Sequence, residues 1–109
     1  MDLTEKLERI ASLIEGRLDA LLAPEPTASG QARLIEAMRY AALGGGKRLR
    51  PFLLIESARL FGVAEEEALN AAAALECVHC YSLVHDDLPC MDDDKMRRGR
   101  PTAHIAFGE

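Results

Sequence analysis

Residues 65–87 read EEEALNAAAALECVHCYSLVHDD, and this stretch decides the fold. Its first three residues are glutamates, and the helix dipole stabilises acidic side chains in a first helical turn. The stretch that follows is apolar on nearly every face, which is typical of a helix in the interior of an all-α protein. The sequence therefore predicts a central buried helix over residues 65–87.

The N-terminal residues form an amphipathic helical pattern. Asp2 is followed three residues later by Glu5, which predicts a capped helix start. The segment PEPTASG, residues 24–30, is rich in helix breakers and predicts a loop. Apolar residues recur at three- and four-residue steps and predict one buried helix face: Leu3, Leu7, Ile10, Ile14, Leu18 and Leu21.

Two further helices are predicted between this loop and the central helix. One runs over residues 31–43 and ends at the glycines 44–46, which adopt backbone angles that other residues avoid. The other runs over residues 51–61, because Pro51 suits a first helical turn, and it ends near Gly62. No segment has the alternating pattern of a strand. The inward residues of the earlier helix are expected to be Leu34, Ile35, Met38 and Ala42.

The composition limits the classes of protein to consider. A chain of 109 residues, 49% hydrophobic and 28% charged, is globular and long enough for one small domain or part of a larger one. A net charge of -5 argues against a nucleic-acid partner, and no apolar run is long enough to cross a bilayer. The N-terminus lacks a signal-peptide pattern, and three cysteines provide no disulfide framework, so we expect a cytoplasmic protein.

Residues 84–100, VHDDLPCMDDDKMRRGR, sort their charges into an acidic and then a basic group. Asp86 and Asp87 close the central helix, and Asp92 follows a short irregular segment after Pro89. Neighbouring carboxylates repel one another unless a cation neutralises them, and Mg2+ binds through one or two carboxylates while sharing phosphate oxygens. The arginines that follow match phosphate geometry. The stretch predicts a site for Mg2+ and a phosphate-bearing ligand, whereas the glycine and distal glutamate of an EF-hand are missing.

A second basic cluster, GGGKRLRP, occupies residues 44–51. Its glycines would let the backbone approach a ligand, but the spacing of a P-loop is absent. The two basic clusters together predict sites for two phosphate-bearing groups. The segment CVHC, residues 77–80, offers a zinc alternative, but a structural zinc site needs four ligands, so we interpret these residues as helix packing.

Residues 45–51, GGKRLRP, and 76–104, ECVHCYSLVHDDLPCMDDDKMRRGRPTAH, resemble the trans-prenyltransferases, or polyprenyl diphosphate synthases. The similarity is greatest to the bacterial-type farnesyl diphosphate synthases and covers residues 31–109. It implies an all-α bundle of antiparallel helices around a central cavity, the terpenoid synthase-like fold. Residues 1–109 would be the N-terminal portion of a single domain of that kind.

The resemblance implies a reaction. An allylic diphosphate, dimethylallyl or geranyl, ionises with the help of Mg2+, and the double bond of isopentenyl diphosphate attacks the carbocation. Proton loss then gives farnesyl diphosphate. The alternatives are a geranylgeranyl or other short-chain synthase, or a non-catalytic subunit or helical module of the same fold. A degenerate subunit is expected to lose an aspartate or arginine from these motifs, and none is lost here, which favours an enzyme.

The resemblance also implies residue roles. Asp86 and Asp92 would ligate Mg2+, with Asp87 in support, and Arg97 would meet the allylic diphosphate. Tyr81, five residues before Asp86, would form the floor of the chain-elongation pocket. Its neighbour Ser82 would share that role. The residues implied to hold isopentenyl diphosphate are Lys47, Arg50, His79 and Arg98. The other charged residues of the two clusters are expected at the solvated surface: Arg48, Asp93, Asp94 and Arg100.

The family uses two aspartate-rich motifs on facing helices, and this chain has the first one. It reaches residues 105–109, IAFGE, where a fifth helix would be starting. We therefore expect the N-terminal portion of a synthase, which is inactive alone and exposes part of its apolar helix. The four predicted helices, of which this is one, cannot easily surround the apolar helix. The N-terminal portion is therefore expected to associate or to pack loosely. The full-length form is expected to be a homodimer without a membrane span.

Overall fold

The computed structural model describes residues 2–23 and 31–109. The predicted loop over residues 24–30 lies outside the described residues. Within the described part, helices dominate, which confirms the all-α class, and no helix there is long and apolar enough to cross a membrane. The elements are α1 (Leu3–Leu21), α2 (Ala32–Ala42), α3 (Leu49–Leu60), α4 (Glu65–Asp87), β1 (Met96–Arg97), β2 (Arg100–Pro101) and α5 (Ala103–Phe107).

Helix α1 starts and packs as its pattern predicts. The Asp2 carboxylate accepts a hydrogen bond of 2.8 Å from the backbone N–H of Glu5, which confirms the cap. Ile10, Ile14 and Leu18 are completely buried, and they contribute to one core with α3 and α4. The predicted apolar face extends further than this core, because the leucines at both ends of the helix stay exposed: Leu3 and Leu21.

Helix α4 is central, since it contacts α1, α2, α3 and α5. Its predicted bounds, 65–87, are confirmed at both ends. Ala68, Leu69, Ala72 and Ala73 are buried, and their small size lets α1 and α3 pack closely on this side. Another part of the helix surface is exposed, which agrees with the expectation that the helices of this chain do not cover it completely. The large apolar residues of α4 that are exposed are Leu75, Val78 and Tyr81.

Helices α2 and α3 depart from prediction in different ways. In α2, Ala42 is buried as expected, but Leu34 and Met38 are exposed, because they line an open groove rather than the core. Helix α3 begins two residues earlier than predicted, at Leu49, after Arg48 in the left-handed conformation.

A two-stranded antiparallel hairpin, absent from the sequence prediction, precedes α5. Each strand has two residues, which is too short to show an alternating apolar pattern. Arg97 pairs with Arg100, and the turn between them contains Arg98 and Gly99 at φ 52° and 79°. The hairpin therefore presents the arginines of the RRGR segment from a compact turn beside the end of α4.

Candidate functional site

The acidic loop after α4 folds back on the helix end. The backbone N–H of Asp92 donates to the carbonyl of Asp86 over 2.8 Å, and that of Asp94 donates to the carbonyl of Asp87 over 3.0 Å. These bonds place Asp86 and Asp92 next to each other, although they are separated by a helix end and a proline. The Asp92 side chain is exposed, and that of Asp86 is half-exposed.

Asp87 lies in a different environment from Asp86. It is buried, and its carboxylate accepts two hydrogen bonds from Arg97, of 2.8 Å from Nε and 2.6 Å from Nη2. These bonds raise the pKa of Arg97 above its ordinary value, although burial opposes the change. The carboxylate predicted to support the metal and the arginine predicted to meet the allylic diphosphate thus bind each other here. Both assigned roles stay predictions.

Asp86 and Asp92 fit a magnesium ion that is shared with a ligand. In the part of the chain that the structure describes, no three His, Cys, Asp or Glu side chains form a metal-holding group. Mg2+ does not require such a group, because it keeps several waters and binds through one or two carboxylates together with phosphate oxygens. Two accessible carboxylates on backbone segments that hydrogen-bond to each other, close to Arg97, are a donor set of this kind.

A cavity of about 220 Å³ lies between the glycine loop, the start of α3, α4 and the hairpin. The Arg50 guanidinium lies 3.4 Å from His79 Nε2. Burial lowers the pKa of His79, and the charge of Arg50 lowers it further, so the imidazole is neutral at pH 7. We call this space the cationic cavity. It brings together all four residues predicted to hold isopentenyl diphosphate, and their role stays a prediction: Lys47, Arg50, His79 and Arg98.

The glycine loop packs against the arginines of the hairpin. A Cβ atom on Gly46 would lie 2.9 Å from the guanidinium carbon of Arg98, and one on Gly44 would overlap the guanidinium of Arg100. Arg98 also donates to the carbonyl of Gly45. The sequence suggested that these glycines admit a ligand, but at Gly44 and Gly46 the groups that approach are arginine side chains. The two basic clusters therefore form one contiguous surface.

Arg100 is partly buried, so the expectation that it is a solvated surface charge is wrong. Its guanidinium carbon lies 3.8 Å from the centroid of the Tyr40 ring, and its Nη2 donates to the Tyr40 carbonyl. The Tyr40 hydroxyl in turn donates to the carbonyl of Pro101 over 2.5 Å. A planar guanidinium stacks well on an aromatic face. These contacts attach the hairpin to the end of α2.

Arg48 is also buried, with 4% of its surface exposed, which overturns the surface prediction. Its guanidinium donates to Glu15 and to the Ala42 carbonyl, and its Nη1 lies 3.4 Å from Glu76 Oε2. Burial lowers the pKa of Arg48, but Glu15 and Glu76 outweigh it and raise the pKa overall. Glu76 was the available signal in the sequence, because a carboxylate within an apolar helix needs a buried cation.

The two residues assigned to the chain-elongation pocket point to different surroundings. Tyr81 is exposed and lines an apolar groove of about 600 Å³ between α2, α4 and α5, together with Met38 and Phe107. Ser82 is half-buried, and its hydroxyl donates to the carbonyl of His79 over 2.7 Å. The structure therefore places Tyr81 on a wall of apolar space and Ser82 in a helical backbone contact.

The other residues singled out in the sequence are simpler. Asp93 and Asp94 are exposed, as predicted. Cys77 is half-buried, Cys80 is buried and Cys90 is exposed, and all three are free thiols. Burial raises the pKa of both helical thiols. Their position in α4 agrees with the interpretation as helix packing.

Comparisons with known proteins agree with this geometry. The polyprenyl synthetase family matches residues 31–109. The chain is 48% identical over its whole length to farnesyl diphosphate synthase of Escherichia coli strain K12, of which it covers 36%. It is 52% identical over 91 residues to a chloroplastic geranylgeranyl pyrophosphate synthase of Catharanthus roseus, a match that covers 84% of this chain and 24% of that protein.

Solved structures show the same likeness. An FPP/GFPP synthase of Zymomonas mobilis superposes with a TM-score of 0.83 at 48% identity, over 98% of this chain and 39% of that chain. A geranyltranstransferase of Thermotoga maritima superposes with a TM-score of 0.84 at 39% identity, over 94% of this chain and 37% of that chain. The chain spans about a third of the length of the relatives it matches. The family match and these identities show that the chain belongs to the polyprenyl synthetase family.

Proposed function

We propose that the protein condenses isopentenyl diphosphate head-to-tail with dimethylallyl or geranyl diphosphate to form farnesyl diphosphate. The observation that carries this proposal is the pairing of a cationic cavity with two accessible aspartates. The RRGR hairpin lies between them, because Arg98 lines the cavity and Arg97 contacts the end of α4. Two anionic substrates that react with each other need two adjacent sites of this type. The name of the E. coli relative, a farnesyl diphosphate synthase, supports the farnesyl product.

The cationic cavity suits the diphosphate of isopentenyl diphosphate. Lys47, Arg50 and Arg98 provide three cations, and the neutral His79 adds a ring nitrogen that can donate a hydrogen bond. Charge-assisted hydrogen bonds to phosphate oxygens are among the strongest polar contacts in proteins. This half of the proposal requires no metal, because the cavity is already positive.

The aspartates suit the allylic diphosphate, which is the group that leaves. Asp86 and Asp92 would hold Mg2+, which when bound neutralises the charge that develops on the departing diphosphate. Asp87 orients Arg97 through Nε and Nη2, so the Nη1 of Arg97 is left to bind a phosphate oxygen. The same proposal, extended from the family resemblance, describes a cytoplasmic homodimer.

A graft tests the proposed function. Residues 1–109 would replace the 109 residues they match in the E. coli synthase, and radiolabelled isopentenyl diphosphate incorporation would be assayed with Mg2+ and dimethylallyl diphosphate. We expect turnover within about tenfold of the parent and a farnesyl product, since a tenfold change corresponds to a barrier difference of only about 1.4 kcal/mol. The parent with the matched residues deleted is the negative control. A graft that folds but transfers no prenyl group would favour the non-catalytic alternative.

A longer product is the alternative function, and Tyr81 on the wall of the apolar groove is the residue that would prevent it. Plant relatives of this chain are named as geranylgeranyl synthases. In the active graft, Tyr81→Ala is expected to lengthen the product by one or more isoprene units, because removing the ring extends the apolar space beneath Asp86. Chromatography of the dephosphorylated products measures this. Val78→Ala, an exposed change on the same helix, is the matched control. An unchanged product would exclude Tyr81 from the pocket wall.

A further inference from the structure

The cationic cavity contains a carboxylate that opposes anion binding. Glu76 lines the cavity, and only 2% of its surface is exposed. A buried charge is weakly screened, so an uncompensated carboxylate here would repel any diphosphate held by Lys47 and Arg50. The cavity would therefore bind an anion more tightly if a neighbouring group compensates the charge of Glu76.

Arg48 is placed to do this. Its Nη1 lies 3.4 Å from Glu76 Oε2, and both side chains are almost completely buried. Its other contacts reach α1 through Glu15 and the end of α2 through the carbonyl of Ala42. Arg48 also lies between Lys47 and Arg50 in sequence and has a left-handed backbone, with φ 54° and ψ 40°. One buried side chain thus anchors the segment 47–50, which contains two of the cavity's cations.

We propose that Arg48 is a positioning residue for the cationic cavity, because it neutralises Glu76 and so prevents that carboxylate from repelling a bound diphosphate. This inference rests on the proposed function in one respect, namely that the cavity binds diphosphate. Arg48 itself need not contact the ligand, because its guanidinium forms ion pairs with Glu15 and Glu76.

Calorimetric titration of the full chain with inorganic pyrophosphate tests the proposal. Mg2+ is left out, so that the aspartate loop does not contribute. In Arg48→Met, the carboxylate of Glu76 loses its cation, and pyrophosphate affinity is expected to fall roughly tenfold. In the double variant R48M/E76Q, the uncompensated charge is also removed, and affinity is expected to return to within about threefold of the original. Circular dichroism on each sample reports whether it is folded.

Arg9→Met is the matched control. Arg9 also joins α1 to α4, through two hydrogen bonds to Glu65 of 3.0 and 2.7 Å, but it is not among the residues that line the cavity. Its loss is expected to lower the melting temperature without changing pyrophosphate affinity. A general loss of stability would affect both variants alike, whereas the proposed role affects Arg48 alone.

The outcomes separate the two proposals. If the unaltered, folded chain does not bind pyrophosphate, the assignment of the cavity as a diphosphate site fails, and the inference fails with it. If the unaltered chain binds pyrophosphate, the cavity keeps its assignment. The role of Arg48 is then overturned in either of two cases: folded Arg48→Met binds pyrophosphate as tightly as the unaltered chain, or the double variant binds it as weakly as the single variant. If Arg48→Met does not fold, Glu76→Gln decides. It should bind pyrophosphate severalfold more tightly, and unchanged or weaker binding overturns the inference.

Discussion

Replacing Asp86 or Asp92 with alanine is expected to lower the turnover of the active graft by several orders of magnitude. Each variant loses the carboxylate of one of the two aspartates whose backbones the folded-back loop joins at the end of α4. Without a ligand for Mg2+, the diphosphate must leave with less compensation of its developing charge. Removing one such stabilising group costs about 3 to 4 kcal/mol, or roughly a thousandfold in rate, and loss of the metal itself costs more.

Steady-state kinetics at saturating Mg2+ measures this prediction. The KM for isopentenyl diphosphate should be unchanged in both variants, because the residues predicted to bind this substrate line a separate cavity. Asp94→Ala is the matched control: its side chain is exposed, and the hydrogen bond that it accepts from Thr102 uses only its backbone carbonyl. Near-normal turnover of either Asp86→Ala or Asp92→Ala would show that the metal assignment is wrong.

Local sequence signals were sufficient to predict the bounds of the central helix, α4. The bounds of α4 follow from three glutamates at its start and a proline shortly after its end, both of which act within a turn or two. The burial of its faces does not follow in the same way. A continuous apolar surface indicates that something covers the helix, but the neighbour is chosen by tertiary packing. The sequence predicted that part of this apolar surface stays exposed in the chain, and the structure identifies Val78 and Tyr81 as residues of that part.

The surface prediction was wrong for Arg48 and Arg100 because their contacts are with residues distant in sequence. Arg48 contacts Glu15 and Glu76, and Arg100 stacks on Tyr40 and hydrogen-bonds to its carbonyl, which is 60 positions away in sequence. Within a basic cluster, an arginine that binds a ligand, one that faces solvent and one that is buried look alike. Burial of a guanidinium is favourable only where carboxylates or carbonyls satisfy it, and their approach depends on the fold.

In the candidate site, too, some features were predicted from the sequence and others depend on tertiary contacts. The family resemblance implied that Lys47, Arg50, His79 and Arg98 belong together, and all four line the cationic cavity. The bidentate pair of Asp87 and Arg97 was missed, because both residues had been assigned to a ligand rather than to each other. Neighbouring aspartates in one motif therefore have different environments: Asp87 is buried in an ion pair, and Asp86 stays accessible.

Lys47→Ala and Arg50→Ala are expected to give the second-largest effect, a selective loss of isopentenyl diphosphate binding. Both side chains line the cationic cavity with His79 and Arg98, so each variant removes a cation from the predicted diphosphate site. Each lost charge-assisted hydrogen bond is worth about 1.5 to 3 kcal/mol, which corresponds to roughly a ten- to hundredfold rise in KM. The double variant is expected to lose more than either single variant.

Kinetics of the active graft, with each substrate varied in turn, distinguishes binding from folding. The KM for the allylic substrate should change little, because its proposed ligands are Arg97 and the carboxylates at the end of α4. Lys95→Ala, which removes an exposed cation of the acidic stretch, is the matched control and should leave both KM values unchanged. Equally weaker binding of both substrates would mean that Lys47 and Arg50 only order the chain between α2 and the first turn of α3. The cationic cavity would then lose its assignment, since two of its cations would have no preference for the substrate it is proposed to bind.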